Sequence, residues 1–132
     1  MKDGGAALGL FILRVAFGLG IARHGYGKVF EGGATQMVDP VGRMGFPAPV
    51  IFAWAAALSE FAGGLLMALG LATRAAAAFV AVTMGTAVFV AHAHDPIGTK
   101  ELALAYLAAS LTVLCTGPGP LSLDRLLGKS KS

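Results

Sequence analysis

The chain has 132 residues, 56% hydrophobic and only 13% charged, with a formal net charge of +3 and a mean hydropathy of +0.75. That composition excludes an ordinary soluble domain and reads as an integral membrane protein. The small positive charge is scattered at the ends of apolar runs rather than gathered with aromatics into a basic patch, so nucleic acid is not an expected partner.

Apolar runs cover residues 6–22, 48–71, 75–91 and 102–116 and predict helices over about 6–22, 48–71, 74–92 and 100–116, each near the ~17–25 residues that a spanning helix needs. They predict an all-α fold: an antiparallel four-helix bundle in the membrane, one domain over 1–132, with both termini on the same side. A cleaved signal peptide is not expected at the start. Lys2 is followed by Asp3, Arg14 interrupts the apolar region, and Arg23-His24-Gly25 is a poor cleavage site. The third run lacks the polar stripe of a soluble amphipathic helix. Small residues recur four apart at Gly5/Gly9, Ser59/Gly63, Gly64/Ala68 and Ala77/Ala81/Gly85, a spacing that lets helices approach closely in lipid.

Between the first two runs, residues 23–47 read as the longest loop, rich in glycine. Asp39-Pro40 is expected to cap and open one short helical turn that stops at Gly45. Tyr26, Phe30, Phe46, Phe52 and Trp54 fall near this end and suit an interfacial aromatic belt. After the last run, residues 120–128 read as a short amphipathic tail in the interface.

Two ionisable residues lie inside the runs, Arg14 and Glu60. A charge at the bilayer centre costs about 2.5–3.5 kcal/mol on insertion scales, so such residues face the bundle interior and pair. Counting along the predicted helices at about 1.5 Å per residue places both at one depth, so an Arg14–Glu60 ion pair is expected. It serves either chemistry or helix register alone. Glu60 shares its face with Gly63 and Gly64, which turns the carboxylate toward another helix.

His24, His92 and His94 cluster at one end, with Asp95, Lys100 and Glu101 following. A histidine beside carboxylates titrates in the physiological range and suits a proton-coupled step. As metal ligands His92, His94 and Asp95 form only a weak set, because a helix presents paired ligands four residues apart. Cys115 is alone, which rules out an intramolecular disulfide relay, and no phosphate-loop or dinucleotide motif occurs. Lys and Arg near the run ends are divided five to four (Lys2, Arg74, Arg125, Lys129 and Lys131 against Arg23, Lys28, Arg43 and Lys100), which predicts cytoplasmic termini.

Several segments in this order, namely Leu13-Arg14, His24-Gly25-Tyr26-Gly27-Lys28, Gly45-Phe46-Pro47-Ala48-Pro49, Ser59-Glu60-Phe61-Ala62-Gly63-Gly64, Leu69-Gly70-Leu71-Ala72-Thr73-Arg74, Glu101-Leu102-Ala103, Gly117-Pro118-Gly119 and Leu121-Ser122-Leu123-Asp124, resemble the DoxX family. The resemblance runs over nearly the whole chain. It implies a small four-helix inner-membrane protein related to the small subunit of thiosulfate:quinone oxidoreductase and to MauE-like proteins. Arg14, His24, Lys28, Glu60, Arg74, Glu101 and Asp124 fall at the family's polar positions. Arg14, His24, Lys28, Glu60, His92 and Glu101 are the candidate ligand or proton residues. Arg74 and Asp124, at the opposite face, are expected to cap helices and meet lipid headgroups. The leading expectation is a non-catalytic or quinone-linked subunit that binds a quinone or similar lipophile and acts with a partner oxidoreductase. A small-molecule or ion transporter, working as a homo-oligomer, and a ligand-free scaffold are the alternatives.

Overall fold

A computed structural model describes residues 3–128, and every regular element in them is helical. Lys2, Lys129 and Lys131, which enter the charge count above, lie outside the described residues. The order is α1 (Gly4–Phe30), α2 (Gly33–Arg43), α3 (Pro49–Leu69), α4 (Thr73–Thr86) continued by a π turn (Ala87–Ala91), α5 (Ile97–Thr116) and α6 (Leu123–Leu126). Among the described residues, α1, α3 and the 19-residue stretch Thr73–Ala91 are long and apolar enough to cross a membrane. Their outward side chains are apolar too: Ile12 is 57%, Val82 70% and Phe89 69% exposed. Water would not tolerate a surface of that kind over three helices, so the chain is a multi-pass membrane protein.

Two boundaries differ from the sequence expectation. The first helix does not stop near residue 22 but continues to Phe30, and the supposed loop contains an 11-residue helix, α2. The glycines at 25 and 27 suggested a break. In the structure Gly25 is helical because α3 lies against it: a Cβ there would stand 2.2 Å from the Phe61 nitrogen. Pro40 lies inside α2 instead of opening it. The helix starts after Gly32, and its apolar stripe Met37, Val41, Met44 holds it on its neighbours despite the cost of an interior proline.

The tightest packing joins α1 to α3 in antiparallel register. A Cβ on Gly18 would meet the Ala68 nitrogen at 2.7 Å, and one on Gly64 the Ala22 nitrogen at 2.6 Å. Backbones touch where side chains have been reduced to hydrogen, the expected device where lipid supplies no hydrophobic drive between helices. Ile21, Met67, Ala77, Val80 and Val113 are fully buried between α1, α3, α4 and α5.

At the other end α6 is hydrogen-bonded to the turn between α3 and α4, the Asp124 amide donating to the Gly70 carbonyl at 2.8 Å. α4 begins after Ala72, a non-glycine residue in the left-handed region (φ 47°) with no side-chain cap of its own. Asp124 supplies the cap from afar, accepting from the Ala72 and Thr73 amides at 2.9 and 3.0 Å and from the Thr73 hydroxyl at 2.8 Å. The capping role expected of Asp124 is therefore seen. Arg74 donates to the Cys115 carbonyl at 3.4 Å, tying α4 to the end of α5. Asp124→Ala strands buried donors and is expected to cost about 2 kcal/mol, read as a lowered melting temperature in detergent. An unchanged melt would mean that the cap is idle.

Candidate functional site

On the α2 side of the molecule lies a cavity of about 370 Å³. Its floor is α3 (Phe52, Ala55, Ala56, Ser59), one wall is α2 with its C-cap (Met37, Val41, Met44), and the other is α4 with its π turn (Phe79, Val82, Thr83, Thr86, Ala87). Three methionines contribute to the lining, and such flexible thioethers fit irregular apolar ligands. The Thr83 and Thr86 hydroxyls are spent on their own helix, donating to the Phe79 and Val82 carbonyls at 2.9 Å each. These residues therefore turn a largely apolar face to the cavity.

Into this apolar space come two charged groups. Lys28, in the last turn of α1, donates from Nζ to Oε2 of Glu60. Glu60 is 3% exposed and Lys28 29%, so the pair is largely removed from solvent while both residues line the cavity. The arrangement follows from the close contact of α1 with α3. Gly25 lets the α1 backbone sit on Glu60 and Phe61, and Lys28, one turn further, then reaches back to the carboxylate. In low dielectric each charge depends on the other.

The Arg14–Glu60 pair expected from depth counting does not form. Arg14 and Gly25 are eleven residues apart on one continuous helix, about 16 Å at 1.5 Å per residue, and Gly25 is the residue opposite Glu60. The error lay in ending α1 at residue 22, which misplaced the membrane face from which depth was counted. Arg14, 1% exposed, instead donates to the carbonyls of Met67 (3.2 Å), Ala68 (3.3 Å) and Leu121. Both α3 acceptors lie at its C-terminal end, where the helix dipole favours a cation; the Met67 carbonyl also accepts from the Gly70 amide at 3.1 Å. Arg14 is a clamp between α1, α3 and the segment before α6, remote from the cavity.

The remaining sequence candidates separate. His92 lines the cavity at the end of the π turn, its amide bonded to the Ala87 carbonyl at 2.9 Å and its Nδ1 2.7 Å from Oδ2 of Asp95. Single π turns of this kind often occur at functional sites. His94 is exposed and takes no part in that pair, and among the described residues no three of His, Cys, Asp and Glu come together as a metal would require. His24 is exposed on α1, its ring 5.6 Å from that of Tyr106. Glu101 is exposed at the start of α5 and lines no part of the cavity. The structure thus brings together Lys28, Glu60 and His92, and leaves Arg14, His24 and Glu101 outside.

Of the expected aromatic belt, Phe46 and Phe52 line the cavity with their rings tilted at 43° and 5.0 Å apart, and Tyr26 and Phe30 pack with Phe61 on the opposite side of α3. Sequence reasoning missed the α2 wall, although its signal was present in the 37, 41, 44 spacing.

Comparison with known proteins agrees with a membrane protein of this kind. The DoxX family profile matches residues 9–93. The inner membrane protein YqjF of Escherichia coli (strain K12) is 31% identical over 127 residues, covering 92% of this chain and 94% of its own length. The Bacillus subtilis (strain 168) protein named "Putative oxidoreductase CatD" is 33% identical over 127 residues, covering 94% and 90%. The inner membrane protein YphA of Escherichia coli (strain K12) is 34% identical over 129 residues, covering 88% of each. No solved structure matches the chain.

Proposed function

The chain belongs to the DoxX family, and from that premise we propose that it is a membrane subunit of a redox system that binds a quinone-like lipophile against Lys28 and Glu60. The observation that carries this reading is the apolar 370 Å³ cavity with a desolvated Lys28–Glu60 pair in its wall. The volume lies in the usual range for small-molecule sites, about 300–1,000 Å³, and a few polar groups in an apolar lining are what orients such a ligand. A quinone head offers carbonyl acceptors when oxidised and hydroxyl donors when reduced. Lys28 Nζ donates to the former and the Glu60 carboxylate accepts from the latter, so one pair of side chains reads both states. A bound quinone would supply two-electron carriage. His92, hydrogen-bonded to Asp95 at the end of the π turn, adds a polar ring to the cavity lining.

The chain has a single cysteine and no nucleotide motif, so the electrons are assigned to a partner oxidoreductase. The "oxidoreductase" in the CatD name supports that assignment. We place the protein in the inner membrane as one domain of four antiparallel spans, α5 being the fourth, with both termini cytoplasmic.

Mass spectrometry of organic extracts from gently purified protein tests the reading. Wild-type protein is expected to carry quinone in near-stoichiometric amount, and the Lys28→Met/Glu60→Leu double variant to lose it while staying folded. Quinone-free wild-type protein, or equal retention by the double variant, would remove the basis for the proposal.

A further inference from the structure

We propose that the cavity is filled sideways from the bilayer rather than from water, through the gap between α2 and α4, and that its ligand is an amphiphile whose tail leaves through that gap among the acyl chains. The inference deepens the ligand reading above and rests on it for the identity of the head. The opening itself stands on separate observations.

The first is the packing of the walls. α2 lies on α1 and α3 but has no comparable contact with α4, so the cavity is a cleft with α3 as its floor and an unsealed long side. The second is the character of the rim. Phe79 and Val82 both line the cavity, yet they are 64% and 70% exposed. A side chain that faces the cavity and the outside at once marks an edge. The third is depth: Val82 is the tenth of the 19 residues of the Thr73–Ala91 span. At mid-span the outside is hydrocarbon.

A water-soluble ligand would have to shed its hydration and cross the apolar layer to reach that rim, a penalty of several kcal/mol for each unpaired polar group. A molecule already dissolved in the bilayer meets no such barrier. The rim adds none, because the nearby Thr83 and Thr86 hydroxyls are bonded to their own helix. The polar head still finds partners inside, since Glu60, 3% exposed, is a wall of the same cavity. The tilted ring pair of Phe46 and Phe52 and the Met44 side chain complete the apolar lining. The ligand class is therefore a hydrophobic-tailed lipid with a small hydrogen-bonding head.

The test reads the opening without any ligand. A tryptophan is placed on the cavity floor as Ala56→Trp in a Trp54→Phe background, and the full chain is reconstituted in nanodiscs of phosphatidylcholine brominated at mid-acyl chain. Emission is expected to fall relative to unbrominated discs and to be little changed by aqueous iodide. Met84→Trp in the same background, at a long side chain that lines the cavity and is only 4% exposed, gives the same reading should the Ala56 insertion disturb folding. Quenching by iodide without quenching by bromolipid would show a cavity open to water, and quenching by neither a closed one; both overturn the proposal. Because no quinone is involved, this result stands apart from the extraction experiment. A lipid-quenched tryptophan in a quinone-free protein would retain the sideways opening and discard the quinone.

Discussion

Arg14→Leu is expected to destabilise the protein by about 3–5 kcal/mol, the range for removing one member of a buried charged arrangement. The replaced guanidinium serves three carbonyls at once, two at the end of α3 and that of Leu121, and leucine reaches none of them. Arg14→Lys is expected to recover only part of the loss, because an ammonium on a flexible stem lacks the planar fork that spans several acceptors. Thermal melting in nanodiscs measures the effect, and limited proteolysis of residues 117–128 shows where it acts. Combining Arg14→Leu with Glu60→Leu should give a sum within about 0.5 kcal/mol of the separate losses, as for sites without a shared partner. A rescue in that combination would mean that the two charges interact after all.

The Lys28/Glu60 cycle should behave in the opposite way. Lys28→Met leaves a carboxylate that is 3% exposed without its cation, and Glu60→Leu leaves an ammonium in an apolar wall. Each single change is expected to cost about 3–5 kcal/mol, while the double variant Lys28→Met/Glu60→Leu regains most of it, since two apolar side chains of similar volume replace a desolvated pair at little net cost. Melting temperatures of the four proteins give the coupling. If the double variant is as unstable as the sum of the singles, the pair is not what holds these residues. If it is stable and still retains quinone, the pair holds the helices together and has no part in ligand binding.

How much of this was legible in the sequence depended on whether the signal was local. The burial of Arg14 and Glu60 was legible, because a charge inside an apolar run has few places to go. So was the close approach at Gly64, from the spacing of small residues. The pairing was not. It is fixed by the α1–α3 register, and that register depends on α1 passing unbroken through Gly25 and Gly27, which local propensity reads as a loop. The same bias hid α2. Asp39-Pro40 looks like a helix start, whereas the apolar stripe at Met37, Val41 and Met44 keeps the helix going on both sides of the proline. The π turn before His92 has no sequence signature at all.

The clamp at Arg14 also has a bearing on how the protein is made. Arg14 enters the translocon with the first helix, but the Leu121 carbonyl that completes its coordination is 107 positions later in the chain. Asp124, which closes the start of α4, follows Thr73 by 51. During synthesis the first helix therefore carries a charge whose partners are still on the ribosome, and α4 begins without its cap. Final assembly waits for the last helices to emerge, so a ribosome stalled before residue 121 would display a chain that is inserted but not yet locked.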